Sequence, residues 1–224
     1  MGKVIVVNHK MNMTLSEILN YMDKVSSISS ELIVCPSLLY IPYFLDKGFE
    51  VGIQNISTED KGAFTGEVSA RQAKSVGVRY ALIGHSERRR FFNETDEIVN
   101  LKIKKALQNN LNVLLCVGED EGEDYKEVIK NQITFGLKNV TSPVMISYEP
   151  VWAIGSNRLP SLEKISEIAN YIKSFFDYDV KVFYGGSVNI ENAQILKDLK
   201  EVSGFIVSSA SLDPNELIKI REVL

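Results

Sequence analysis

Apolar residues in this chain gather in short continuous runs, separated by stretches that are apolar only at every third or fourth position. The runs are Lys3 to Val7, Leu32 to Cys35, Val51 to Gln54, Tyr80 to Ile83, Asn112 to Val117, Val144 to Tyr148, Val180 to Tyr184 and Phe205 to Val207. They are rich in β-branched residues and do not alternate with polar ones, the pattern of strands buried on both faces of a parallel sheet. The segments between them carry helical spacing. Leu15, Ile18, Leu19, Met22 and Val25 share one predicted face behind Thr14 as N-cap, Ile98, Leu101, Ile103 and Leu107 recur after Asn93, and Ile165, Ile168, Ala169 and Ile172 follow Ser161. About eight strand-then-helix units result, the number at which a parallel sheet closes into a (β/α)8 barrel. A doubly wound open sheet would need about two fewer. No Pro-, Gly- or Ser-rich linker and no charge block interrupts the 224 residues, so one α/β barrel domain spanning residues 1–224 is expected.

Composition narrows the function classes. A chain that is 45% hydrophobic and 24% charged suits a globular protein with a substantial core. The net charge is -4 and the Lys and Arg residues are scattered, which leaves no electrostatic footprint for a nucleic acid or an anionic membrane. The first apolar run is too short for a signal-peptide core and no later one approaches spanning length; a cytoplasmic protein is expected. Cys35 and Cys116 lie in apolar runs, where reduced, buried thiols are expected rather than a disulfide or metal ligands.

In a barrel of parallel strands, reactive groups belong at the strand C-termini. Three runs end in such groups: VIVV in Asn8 and Lys10, YALIG in His85, and VMISY in Glu149. A glutamate after a strand is often only a solvated loop residue, but Glu149 is followed by Pro150, Val151 and Trp152, apolar bulk that would exclude water when a loop closes. That context favours a general base acting on a carbon acid. His85, in GHSERR, falls where a helix should start, and the positive end of the helix dipole favours a neutral imidazole able to donate a hydrogen bond to a carbonyl oxygen. Glu87, Arg88 and Arg89 beside it have a bland reading as a salt-bridged surface turn, the preferred one for Arg89. Asn8 and Lys10, two apart on one face, offer an amide and a charge to a developing oxyanion. His9 alternates with them and should point away. Three segments look able to hold phosphate through backbone N–H groups: Ala153 to Ser156, Tyr184 to Ser187, and Ser208-Ser209.

The motifs NHKMN, QN with GAFTGEVS, GHSERR, CVGE, YEPVWAIG, YGGSV and SASL, in this order from Asn8 to Leu212, closely resemble those of the triosephosphate isomerase family. The resemblance implies a TIM barrel and a cofactor-free, metal-free homodimeric isomerase that interconverts dihydroxyacetone phosphate and glyceraldehyde 3-phosphate. By position it makes Glu149 the base, His85 the electrophile, Lys10 the charge stabiliser with Asn8 beside it, and Glu87 their supporting carboxylate. Pro150 to Ser156, comprising Pro150, Val151, Trp152, Ala153, Ile154, Gly155 and Ser156, resembles the family's lid, and Gly155, Ser187, Ser208 and Ser209 fall at phosphate-contacting positions. The loop from Asn55 to Glu67 should reach a partner subunit near Lys10, with Thr65 at its tip and Glu67 and Arg88 as inter-subunit ion-pair residues. Several positions depart from the family pattern. His9 stands where Trp is common, Ser156-Asn157 replaces Thr-Gly at the lid's C-terminal hinge, and Ser208-Ser209 replaces Gly-Gly. If that pair needed a positive φ, the serine would carry about 1 kcal/mol of strain. The segment from Gly118 to Val140 looks short, as if outer helices had been trimmed. Rival readings are another phosphate-binding barrel enzyme, such as a sugar-phosphate isomerase or an aldolase, the latter requiring a Schiff-base lysine in the barrel core, and a non-catalytic phosphate-binding barrel kept for binding or assembly.

Overall fold

The structure, a computed structural model, describes residues 2–224. Strands β1 (Val4–Asn8), β2 (Leu32–Cys35), β3 (Glu50–Ile53), β4 (Tyr80–Ile83), β5 (Asn112–Val117), β6 (Met145–Tyr148), β7 (Val182–Tyr184) and β8 (Gly204–Val207) pair in parallel in chain order. Pairing of β1 with β8, Val4 opposite Gly204 through Val7 opposite Val207, closes the barrel. Each apolar run therefore becomes one strand, shifted by no more than two residues at either end. Around them lie α1 (Leu15–Lys24), α2 (Ile41–Asp46), α3 (Ala70–Ser75), α4 (Ser86–Phe92), α5 (Asp96–Gln108), α6 (Tyr125–Gly136), α7 (Leu162–Lys173), α8 (Ile190–Leu196) and α9 (Pro214–Val223). A single 12-residue helix, α6, follows β5, in keeping with the shortness of that segment.

The unbroken apolar runs have their cause in two separate cores. Alternate strand residues Val6, Ile33, Cys35, Leu82, Leu114, Cys116, Phe183 and Ile206 fill the barrel interior, while the residues between them, such as Ile5, Val7, Val34 and Ile146, pack outward against the helices. Strands buried on both sides leave no polar face to read. Helix faces were less legible. In α1 the buried side is Ile18, Tyr21 and Met22, whereas Leu15 and Leu19 are exposed. In α5 it is Val99, Asn100, Lys102, Ile103 and Ala106; Leu101 faces solvent and the N-cap is Thr95. Asn93 ends α4 with φ 52°, a left-handed conformation that Asn tolerates better than most residues.

His9 does point away from the barrel interior. It is fully buried, edge-on to Tyr21 at 4.8 Å between ring centroids and 5.8 Å from Phe44. Neither ring nitrogen has a hydrogen-bond partner, nor does the Tyr21 hydroxyl. Burial alone lowers the His9 pKa from 6.5 to about 4. The unfolded chain therefore binds the proton first as pH falls, so stability declines between roughly pH 6.5 and pH 4, by roughly 3 kcal/mol in all, and not above that window. Denaturant midpoints at neutral pH and near pH 4 should show this loss, and His9→Phe should remove it. An unchanged pH dependence in the variant would exclude His9 as the source.

Candidate active site

The alternation that fills the barrel continues past the strand ends and aims the polar groups. Val4, Val6 and Asn8 follow one another on the inward side of β1, as do Met145, Ser147 and Glu149 on β6. The ladder holds Glu149 in place, since its N–H donates to Val117 O at 2.8 Å and Gly185 N–H donates to Tyr148 O at 2.8 Å. The carboxylate is 2% exposed. Its Oε1 accepts from Ser147 Oγ at 3.1 Å. Its Oε2 has no hydrogen-bond partner and lies 3.4 Å from His85 Nε2.

Two glycines make room for this carboxylate, and the sequence reading passed over both roles. A Cβ on Gly185 would fall 2.7 Å from Glu149 Cγ and 2.9 Å from Ser147 Oγ, and one on Gly118 would fall 1.9 Å from Glu149 O. No side chain larger than hydrogen fits either place without moving Glu149.

His85 is the N-cap of α4, and its Nδ1 accepts from Glu87 N–H at 3.2 Å. A neutral ring held in this way carries its hydrogen on Nε2, the atom nearest Glu149. Glu87 also meets Lys10, with 2.6 Å between Oε1 and Nζ. Lys10, Glu87, His85 and Glu149 thus form one continuous line of charged and polar groups. Lys10 has φ 51°, a left-handed conformation costing about 1 kcal/mol for a residue with a Cβ. Its backbone is pinned there from both sides: Asn8 Oδ1 accepts from Lys10 N–H at 3.1 Å, and Gln54 Nε2 donates to Lys10 O at 3.0 Å. Asn8 spends its oxygen on this bond. Strain retained at a residue bearing a charged side chain is characteristic of functional sites.

His85 and Glu149 open onto a cavity of about 370 Å³ that Gly155, Asn157, Ser187, Ser208 and Ser209 also line. All four residues expected at phosphate-contacting positions meet there. Asn8 and Lys10 do not line it; Lys10 borders a separate recess of about 230 Å³ with Met11, Leu38, Gln54 and Glu67. Ser208 has φ -109° and ψ -87°, so the left-handed strain considered for the Ser-Ser pair does not arise. Its carbonyl accepts from Ser211 N–H at 3.0 Å and Ser211 Oγ at 2.6 Å. The hinge substitution has an equally local account. Asn157 has φ 57°, following Gly155 at φ 65°, and Asn, after glycine, is the residue best suited to a left-handed position.

The segment from Pro150 to Ser156 is tied to the loop after β5. Val151 N–H donates to Glu119 O at 2.9 Å, and Trp152 Nε1 and Tyr148 OH donate to Glu119 Oε1 at 3.2 Å and 3.1 Å. Glu119, the last residue of CVGE, is buried. Burial first, and the Glu119 charge second, raise the Tyr148 pKa, so its hydroxyl stays a donor.

Farther from the cavity, Thr65 and Glu67 are exposed, while Arg88 pairs with Glu94 of its own chain and lies 4.5 Å over the Phe92 ring. Glu94 is buried and is also met by the buried Lys102. Arg88 therefore already has an acidic partner within the chain. Arg89 is not a surface residue either: it is partly buried, bonded to Asp96 Oδ1 at 2.6 Å and Gly84 O at 2.8 Å. Among the described residues, no three His, Cys, Asp or Glu side chains gather as a metal site, and no helix is long and apolar enough to cross a membrane.

Residues 3–224 match the family described as triosephosphate isomerase. A triosephosphate isomerase of Mycoplasma mobile is 39% identical over 97% of this chain and 98% of its own length. One from Alkaliphilus metalliredigens is 39% identical over 97% of each chain, and one from Thermodesulfovibrio yellowstonii is 37% identical over 97% of this chain and 98% of its own. With the whole barrel matched and the acid, imidazole and cation at its strand ends accounted for, the chain belongs to the triosephosphate isomerase family.

Proposed function

We propose that the protein is a triose-phosphate isomerase acting on dihydroxyacetone phosphate and D-glyceraldehyde 3-phosphate, with residues 1–224 as one catalytic domain. The observation that carries the reading is the approach of Glu149 Oε2 to His85 Nε2, at 3.4 Å, on a cavity that Gly155, Ser187, Ser208 and Ser209 also line. A triose phosphate placed with its phosphate against those residues presents its carbonyl and hydroxyl carbons to both groups. Glu149 then takes a proton from one carbon, while His85 Nε2 gives its proton to the carbonyl oxygen and recovers one from the neighbouring hydroxyl. The carboxylic acid so formed returns the proton to the adjacent carbon, and Lys10, held by Glu87, offsets the negative charge of the enediolate. This division of labour is the one associated with triosephosphate isomerases. All the proton transfers are assigned to side chains of this chain. The lid segment Pro150 to Ser156 would cover the intermediate, limiting loss of its phosphate.

A non-catalytic barrel would have no use for a buried carboxylate with an unpartnered oxygen beside an oriented imidazole. Rapid conversion of glyceraldehyde 3-phosphate to dihydroxyacetone phosphate by chelator-treated protein is the expected result. Binding of a phosphate ligand without turnover would overturn the reading in favour of the non-catalytic one.

A homodimer is part of the proposal. Met11, Leu38, Leu39, Phe64, Phe91 and Phe92 are exposed on the segments that follow β1 to β4, with Met11 at 95% and Leu39 at 73%. Large apolar side chains concentrated on one side of a barrel favour burial against a second copy. Thr65, Glu67 and Arg88 lie in the same region, and Lys10 borders the recess that this surface would close. Sedimentation at micromolar concentration should give the dimer; monomer alone would exclude it.

A further inference from the structure

The residues leaving the lid carry an attachment that the site described above does not use. Arg158 stacks over the Trp152 ring, with its guanidinium carbon 4.7 Å from the centroid, and its Nη2 lies 2.6 Å from Glu121 Oε1. Its backbone N–H donates to Ser156 Oγ at 3.2 Å. Trp152 itself is bonded to Glu119. The entering and leaving flanks of the lid are therefore fastened to each other and, through two carboxylates, to the loop between β5 and α6. Gly155 to Arg158 stand exposed to solvent in this arrangement, and neither Trp152 nor Arg158 lines the main cavity, although Ile154, Gly155 and Asn157 do.

We infer that Arg158 is a positioning residue that clamps the lid in its raised state by holding Trp152 and Glu121 together. Lowering the lid over a phosphate ligand has to break the stack, the ion pair, or both. Arg158 and Glu121 are exposed and Trp152 is half-buried, so each contact is weak, and the clamp biases the lid without locking it. A bias of this kind lowers affinity for any ligand that requires the lowered lid, because binding must first undo it. The proposal deepens the isomerase reading and rests on it only for the identity of the ligand.

The test uses Trp152, the only tryptophan of the chain, as its reporter. In ligand-free Arg158→Met, Trp152 emission should shift to the red and acrylamide quenching should increase; Arg158→Lys, which keeps the charge without the planar face, should behave like Met in this readout. Inorganic phosphate should bind Arg158→Met roughly three- to tenfold more tightly than wild type, the range expected for losing two weak surface contacts. Glu121→Gln should tighten binding in the same direction, and the double variant should gain less than the sum of the two, since one clamp can be lost only once. Unchanged quenching in Arg158→Met, or additive effects in the double variant, would overturn the clamp. The isomerase reading is judged apart from it: a wild type that fails to turn over triose phosphate but shows the quenching difference loses the reaction and keeps the clamp. Phosphate that fails to bind the wild type counts against the cavity's phosphate wall, and the ligand-free quenching still decides the clamp.

Discussion

Glu149→Gln is expected to lower kcat for triose phosphate isomerisation by about 10²- to 10⁴-fold, the contribution usual for a positioned general base, while KM changes little. The amide has the shape of the carboxylate and can still accept from Ser147 Oγ, which now donates to Oε1 at 3.1 Å. Its oxygen is far too weak a base to remove a proton from carbon. Stability should be equal to wild type or higher, because the variant removes a buried charge whose second oxygen has no partner. Initial rates together with denaturation curves separate the two effects. A variant that keeps wild-type kcat would remove Glu149 from the role of base, and one that loses stability in proportion to activity would make it a structural residue.

Gly185→Ala should reduce kcat/KM by about 10²-fold although no reactive group is touched, since displacing a catalytic group by about 1 Å costs that much. The added methyl would lie 2.7 Å from Glu149 Cγ and 2.9 Å from Ser147 Oγ. Neither neighbour is free at its far end: Ser147 is fully buried and Glu149 is 2% exposed. The carboxylate must therefore swing away from His85. Overpacking of this kind also costs about 1–3 kcal/mol of stability, so the variant should melt earlier. The decisive comparison is with the double variant. Placed on Glu149→Gln, the alanine should cause almost no further loss of activity, because both changes disable one group. Independent, multiplying losses would show that Gly185 matters for something other than the position of Glu149.

The barrel could be read from the sequence because burial on both faces wrote each strand as a continuous run. Asn8 and Glu149 could be read because they continue the inward side of their runs by two more positions, after Val6 and Ser147, whereas His85 stands two beyond the outward-packed Ile83 and was legible as the start of a helix. Helix faces were harder to read. Leu15, Leu19 and Leu101 are apolar yet exposed, and Lys102 is charged yet buried beside Glu94, so polarity misled wherever an ion pair or an apolar surface intervened. Gly118 and Gly185 were missed because their function is the absence of an atom, which only three-dimensional neighbours reveal. Glu119 stood in plain view within CVGE, but nothing in a linear sequence tells that it collects hydrogen bonds from Tyr148 and Trp152. Whether Ser208 would be strained was open for a related reason, because a substitution relative to a family pattern does not disclose the backbone angle.

The two thiols of the barrel interior turn the fold into its own chemical clock. Cys35 and Cys116 are 2% and 1% exposed, and burial pushes the Cys35 pKa up to about 12 and raises that of Cys116 as well, with the Glu149 charge adding to the latter. Thiolate is the reactive form, so a disulfide reagent in neutral solution meets neither sulfur until the barrel opens. The labelling rate is then a measure of how often the wall parts. Because the sulfurs belong to β2 and β5, comparing their rates asks whether the barrel opens as one unit or tears first along a particular seam.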